Sequence, residues 1–119
     1  METEKLKIKK RTVSARPDIS WIEISGSLNS LEVRSLEDLI IPLIEARQNI
    51  ILDAGGLEYA NSTGILAIMR YHIKSQRQGS KIILVRPRNQ TVYDALIVCG
   101  AFNLLAVAED VHSAVKLIG

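Results

Sequence analysis

Apolar and polar positions along this chain separate nine elements. In residues 5–13, Leu6 and Ile8 alternate with lysines, which predicts a strand whose lysines place it at a sheet edge. Residues 19–24 are β-branched and aromatic, a second strand ended by Ser25, Gly26 and Ser27. Over residues 30–47 the apolar side chains Leu36, Leu39, Ile40, Leu43 and Ile44 are spaced for one helix face. Asn29 with Glu32 three positions on reads as a capping box for that helix, and Pro42 removes one backbone donor inside it, which predicts a kink. Residues 50–53 form a short apolar run suited to a strand buried on both faces. A loop with Gly55 and Gly56 follows, predicted to extend through Asn61. A helix from Ser62 to about Gln78 has Ile65, Leu66, Met69, His72 and Ile73 on its predicted inner face. Arg70, Lys74, Arg77 and Gln78 lie opposite, and Gly79 stops it. Residues 81–85 read as another buried strand, residues 89–99 as a helix closed by Gly100, residues 104–107 as a last strand, and residues 110–118 as a last helix with Asp110 at its positive end. The order β-β-α-β-α-β-α-β-α predicts an α/β fold with crossover connections.

The chain has 119 residues, 47% of them hydrophobic and 24% charged, which fits one globular domain over 1–119 with a core of its own. Cys99 is the one cysteine, so no intrachain disulfide forms and a reducing compartment is expected. The charged first residues lack the apolar core of a signal peptide. No apolar run approaches the ~20 residues that span a bilayer. The expectation is a cytoplasmic protein without membrane insertion.

The net charge of +2 does not by itself imply a nucleic-acid partner, and aromatic residues are too few for base-stacking platforms. Its distribution is more telling. Lys5, Lys7, Lys9, Lys10 and Arg11 face only Glu2 and Glu4 in the first eleven residues. No acidic residue occurs from Tyr59 to Tyr93, a stretch that holds Arg70, Lys74, Arg77, Lys81, Arg86 and Arg88. Such one-signed stretches suit either an anionic partner or a solvated helix face with a basic loop.

Residues 50–71 carry the most informative pattern: a buried strand ending at Asp53, a loop, then Asn61, Ser62, Thr63 and Gly64 opening an amphipathic helix. A serine there can serve as a helix cap, or its hydroxyl can accept a phosphate that the helix's positive end tolerates. Catalytic readings fare worse. A nucleophile elbow needs a glycine where Ala60 stands. His72 lies two to three turns from Ser62, too far to act as its base. No phosphate-binding Gly-rich loop is present. One cysteine with two distant histidines supplies no zinc site, so neither metal nor cofactor is expected. A phosphorelay receiver would need an acidic pair after its first strand, where Ser25, Gly26 and Ser27 stand. The Asn61-Ser62-Thr63 triplet matches a glycosylation acceptor only by coincidence.

The segment resembles the STAS family of bacterial anti-sigma-factor antagonists. Tyr59 occupies the family's aromatic position, and Ser62, Thr63 and Gly64 match the end of its motif. Gly26, Ser27 and Leu28 resemble its turn after the second strand, and the likeness covers residues 5–118. The resemblance implies a mixed sheet of about five strands flanked by about four helices. It implies a non-enzymatic phospho-switch: unphosphorylated protein binds an anti-sigma factor serine kinase and frees a sigma factor, and a PP2C-type phosphatase resets it. Ser62 is then the phosphoacceptor, with Thr63 as the next hydroxyl, and Asp53, Asn61, Thr63 and Gly64 shape the site. The exposed side of the 62–78 helix and the turn at Gly26 and Leu28 form the partner surface. Asn61 stands where the family has Asp, keeping capping ability and dropping a charge. Gly55 and Gly56 are unusual for the family and imply a looser approach to the site. Other members of this family act as non-phosphorylated scaffolds of stress-sensing assemblies or as cytoplasmic transporter subunits. The edge strand leaves room for a homodimer.

Overall fold

A computed structural model describes residues 5–119; Glu2 and Glu4, counted in the charge reading above, and the rest of the first four residues lie outside it. The elements follow the predicted order: β1 (Lys7–Val13), β2 (Arg16–Leu28), α1 (Val33–Glu45), β3 (Asn49–Ala60), α2 (Ser62–Gln78), β4 (Ile82–Val85), α3 (Gln90–Val98), a 3-10 turn (Ala101–Asn103), β5 (Ala106–Ala108) and α4 (Val111–Ile118). The five strands make one sheet in the order β1-β2-β3-β4-β5. β1 runs antiparallel to β2, and every later pair is parallel.

Each parallel crossover steps one place in the same direction, and connections of one hand therefore put their helices on one side. Ile22, Ile24, Ile50, Leu52, Ile82 and Leu84 fill a core with Leu36, Ile40 and Ile44 of α1, Ile65 and Ile68 of α2, and Val92 and Leu96 of α3. The alternate residues Ile19, Ile51, Ile83 and Val85 face the other way and pack with Ala114 and Ile118 of α4. Strands buried on both faces need apolar side chains at every position, which β4 has.

The two long strands depart from expectation. β2 does not end at Ser25 but continues to Leu28, with Gly26 at φ +80° inside it. That backbone conformation disfavours any residue with a Cβ. The predicted loop after Asp53 is strand as well, because β3 continues beside β2 to Ala60. β3 gains one extra residue between Asp53 and Gly56 and another between Leu57 and Tyr59, where the register to β2 shifts. These are β-bulges. They put Ala54, Leu57 and Ala60, three apart, all into the core.

Smaller corrections concern helix starts and faces. α1 begins at Val33, and Asn29 forms no capping box: its Oδ1 accepts from the amides of Leu31 and Glu32 and closes a turn before the helix. The helix continues through Pro42, and Asp38, whose carbonyl loses a donor there, is exposed. α2 buries Gly64, Ile65, Ala67, Ile68, Tyr71, His72 and Ser75, whereas Leu66 and Ile73 of the predicted inner face are exposed.

Candidate functional site

The start of α2 is fixed to the end of β2 by backbone contacts. The Asn61 amide donates to the Leu28 carbonyl at 3.1 Å, and the Asn61 carbonyl accepts from Ile65 at 3.0 Å. Asn61, in extended conformation, is the N-cap; its Oδ1 accepts from the Gly64 amide at 2.9 Å, and its Nδ2 donates to Ser30 Oγ at 3.3 Å. A side-chain cap satisfies one of the orphan amides that every helix start leaves open. Ser62 is therefore not the cap. It is the first helical residue, exposed, and its hydroxyl takes no partner among the described residues.

Gly64 explains why this start can sit so low on the sheet. A Cβ there would lie 2.6 Å from the Leu28 carbonyl oxygen and 2.8 Å from Leu28 Cγ. Only glycine lets the helix approach the strand this closely. Leu28 itself is fully buried. Asn61, Ser62, Thr63, Gly64 and Leu28 thus form one local unit, with Gly26 two residues upstream on the same strand.

Asp53 does not join that unit. Its side chain is on the α4 side of the sheet, where Oδ2 accepts from Trp21 Nε1 at 3.2 Å and Oδ1 from the Gly55 amide at 3.0 Å. Nor are Gly55 and Gly56 loose. A Cβ on Gly55 would meet Arg88 Nη1 at 2.7 Å, and one on Gly56 would meet Ser25 Cβ at 3.0 Å. The two glycines make room for a close neighbour at the first bulge of β3.

The segments that adjoin Ser62 carry three large exposed apolar side chains. Tyr59, at the end of β3, is 43% exposed; Leu66, one turn along α2, is 48% exposed; Leu31, beside the Ser30 that bonds Asn61, is 87% exposed. Residues four apart share a helix face, so Leu66 stands directly behind Ser62. Large exposed apolar side chains grouped this way mark interaction surfaces. Leu31 and Ser30 have no signal in the hydrophobic periodicity; they reach the site only because β2 ends under α2. No acidic residue occupies the first turn of α2, while Arg70, Lys74 and Arg77 follow along its outer side.

The family model of the STAS domain matches residues 10–114. The chain belongs to the STAS family. Its STAS fold is shared with an anti-sigma factor antagonist from Mycobacterium paratuberculosis, 13% identical, with 96% of this chain and 94% of that one covered at a TM-score of 0.83. The Bacillus cell fate determinant SpoIIAA in its phosphorylated form is 16% identical, with 95% and 100% covered at 0.70. Part of the murine anion transporter Solute Carrier 26 family member A9 is similar in fold, 15% identical, at 0.67; 96% of this chain matches 22% of that one. No curated protein matches the chain significantly in sequence. Among the described residues, no helix of this STAS chain is long and apolar enough to cross a membrane, and no group of three or more His, Cys, Asp or Glu side chains could hold a metal ion.

Proposed function

We propose that this STAS protein is an anti-sigma factor antagonist that works by binding rather than catalysis, with Ser62 as its phosphoacceptor. The observation that carries the reading is the division of labour at the start of α2: Asn61 caps the helix, which leaves the Ser62 hydroxyl in solvent. Tyr59, Leu66 and Leu31, on the segments that adjoin Ser62, are exposed. In unphosphorylated form these apolar side chains and the exposed side of α2 dock on an anti-sigma factor serine kinase, and the sigma factor is released. A phosphate on Ser62 brings about −1.5 to −2 charges to the centre of that surface. The positive helix end and the first-turn amides hold it without unfolding the domain, but its desolvation cost opposes docking. A PP2C-type phosphatase restores the binding form. Thr63, also exposed, is the neighbouring hydroxyl.

Asn61 supports a second reading. A neutral cap in place of the family's Asp also suits a STAS domain that docks without phosphorylation, as a scaffold or a transporter subunit.

The test is intact mass and peptide mapping of protein from its native cells, with and without phosphatase, together with binding of two variants to the kinase. Phosphate on Ser62 is expected, with Ser62→Ala binding constitutively and Ser62→Asp at least about tenfold weaker. Equal binding by both variants, with no phosphate in any growth condition, replaces the switch by the scaffold reading.

A further inference from the structure

β5 pairs with β4 only from Ile83 onward. Beside Ile82 the sheet therefore has no fifth strand, and a cavity of about 290 Å³ occupies the place. His72 and Gln76 of α2 line it on one side, Ala106 of β5 and Leu117 of α4 on the other. Between them lie Ile82 and Ile83, which belong to the two opposite cores. Gln76 and Leu117 are exposed, so the cavity opens to solvent. His72 is only 8% exposed, and its Nδ1 is buried with no partner among the described residues. That leaves Nε2 as the ring nitrogen within reach of the cavity. Two other polar groups at the wall are already engaged. Ser80 Oγ lies 2.9 Å from Ser75 Oγ, and Lys81 Nζ donates to the Ile118 carbonyl at 3.2 Å. Among the described residues no Asp or Glu lines the cavity.

We propose that this cavity binds a small, uncharged, bicyclic apolar molecule through one carbonyl oxygen, which accepts a hydrogen bond from His72 Nε2. Apolar walls with a single well-placed polar group are the usual make-up of a small-molecule site. Burial disfavours the charged imidazole and lowers its pKa from 6.5, so at neutral pH the ring carries one N–H. Orphaned buried N–H groups are rarer than under-satisfied acceptors, which puts that proton on Nε2 and leaves the bare lone pair on Nδ1. A donor facing an apolar wall keeps its desolvation cost until an acceptor reaches it. The size follows from volume: a cavity of roughly 150 Å³ holds benzene, and this one is larger by a second ring. The lack of charge follows from the wall. A carboxylate would give up its hydration for one N–H among Ile82, Ile83, Ala106 and Leu117, since Lys81 is already donating elsewhere. His72 lies roughly 15 Å along α2 from Ser62, and the site is independent of the phosphoacceptor.

The probe is tetralone, a bicyclic ketone, with tetralin as the control that lacks the carbonyl and naphthoate as the charged counterpart. Titration followed in ¹⁵N spectra should give saturable amide shifts confined to the start of β4, β5, the second half of α2 and the end of α4. Long-range imidazole spectra should show His72 protonated on Nε2, with that nitrogen moving as tetralone is added. His72→Phe keeps a ring of similar size without the N–H, and should weaken tetralone about tenfold while leaving tetralin unchanged. Ala106→Leu fills the cavity with His72 in place and should abolish binding of both. Amide positions away from the cavity check that each variant is folded. Four outcomes overturn the proposal: no saturable shifts with tetralone; tetralin binding as tightly as tetralone, which would leave the imidazole no part; naphthoate binding more tightly, which would mean an anion site; or undiminished binding to Ala106→Leu, which would place the ligand elsewhere.

Discussion

Asn61 ties four groups together: it takes the Gly64 amide, reaches Ser30 with its side-chain nitrogen, and bonds Leu28 and Ile65 through its backbone. Removing the side chain in Asn61→Ala leaves the Gly64 amide without its acceptor and should cost about 1 kcal/mol, read from urea denaturation. Asn61→Asp keeps the acceptor and sets a negative charge against the positive helix end. It should raise stability by about 0.3–1 kcal/mol at low salt and lose that gain at high salt. Residue types predicted a helix start here. Asn61 and Ser62 are both good cap residues, and extended backbone at Asn61 decides between them. Asp53 was grouped with the site on family position alone, and its side chain points to the other side of the sheet for a reason the pattern does carry, since 51 and 53 share a strand face.

Among the elements, α2 depends on the passage of Gly64 over Leu28. In Gly64→Ala the new methyl meets a backbone carbonyl at 2.6 Å, which a side-chain rotation cannot relieve. The helix start must lift from β2, at a cost of about 1–3 kcal/mol; a lowered urea midpoint would show it, and Ser62→Ala, which adds no atoms, should stay near wild type. Helix existence was legible throughout, because Asn61, Asn89 and Asp110 cap α2, α3 and α4 and Gly79 terminates α2. The inner face of α2 does not follow hydrophobicity alone. Leu66 and Ile73 look like core by hydrophobicity, while Gly64 and Ser75, both buried, carry no apolar signal. Strand length after Asp53 was hidden for a different reason: two bulges replace the two-residue alternation with the three-residue spacing of Ala54, Leu57 and Ala60, a period that resembles neither strand nor helix over so short a run.

At the scale of the whole molecule, α1–α3 on one side of the sheet and α4 on the other leave β1 and half of β2 as open surface, so the protein presents two separate faces. Its stability should fall in two distinct pH windows. His72 lies where α2 passes the beginning of β4, near Ser80, Lys81 and Leu117. Burial lowers its pKa from 6.5, and Nδ1 is buried with no partner among the described residues. The unfolded chain then takes up a proton that the folded chain resists, so stability declines as pH drops below 6.5 toward the lowered value. His72→Gln should flatten that decline in urea midpoints. Asp18 acts in the same direction, elsewhere and at lower pH: Arg16 holds its pKa at about 2, below the ordinary 3.8. Its contribution is complete above 3.8 and disappears as pH falls through about 2. The bulges of β3 carry one more consequence for the molecule. A single bulge exchanges the two sides of a strand, and a second exchanges them back, so from Asp53 to Ala60 the chain has a parity. Lengthening or shortening that segment by one residue would turn Tyr59 inward and aim the path into α2 at the wrong side of the sheet, whereas a change of two would restore every side chain to its own side. The distance from the sheet to Ser62 is thus counted in pairs.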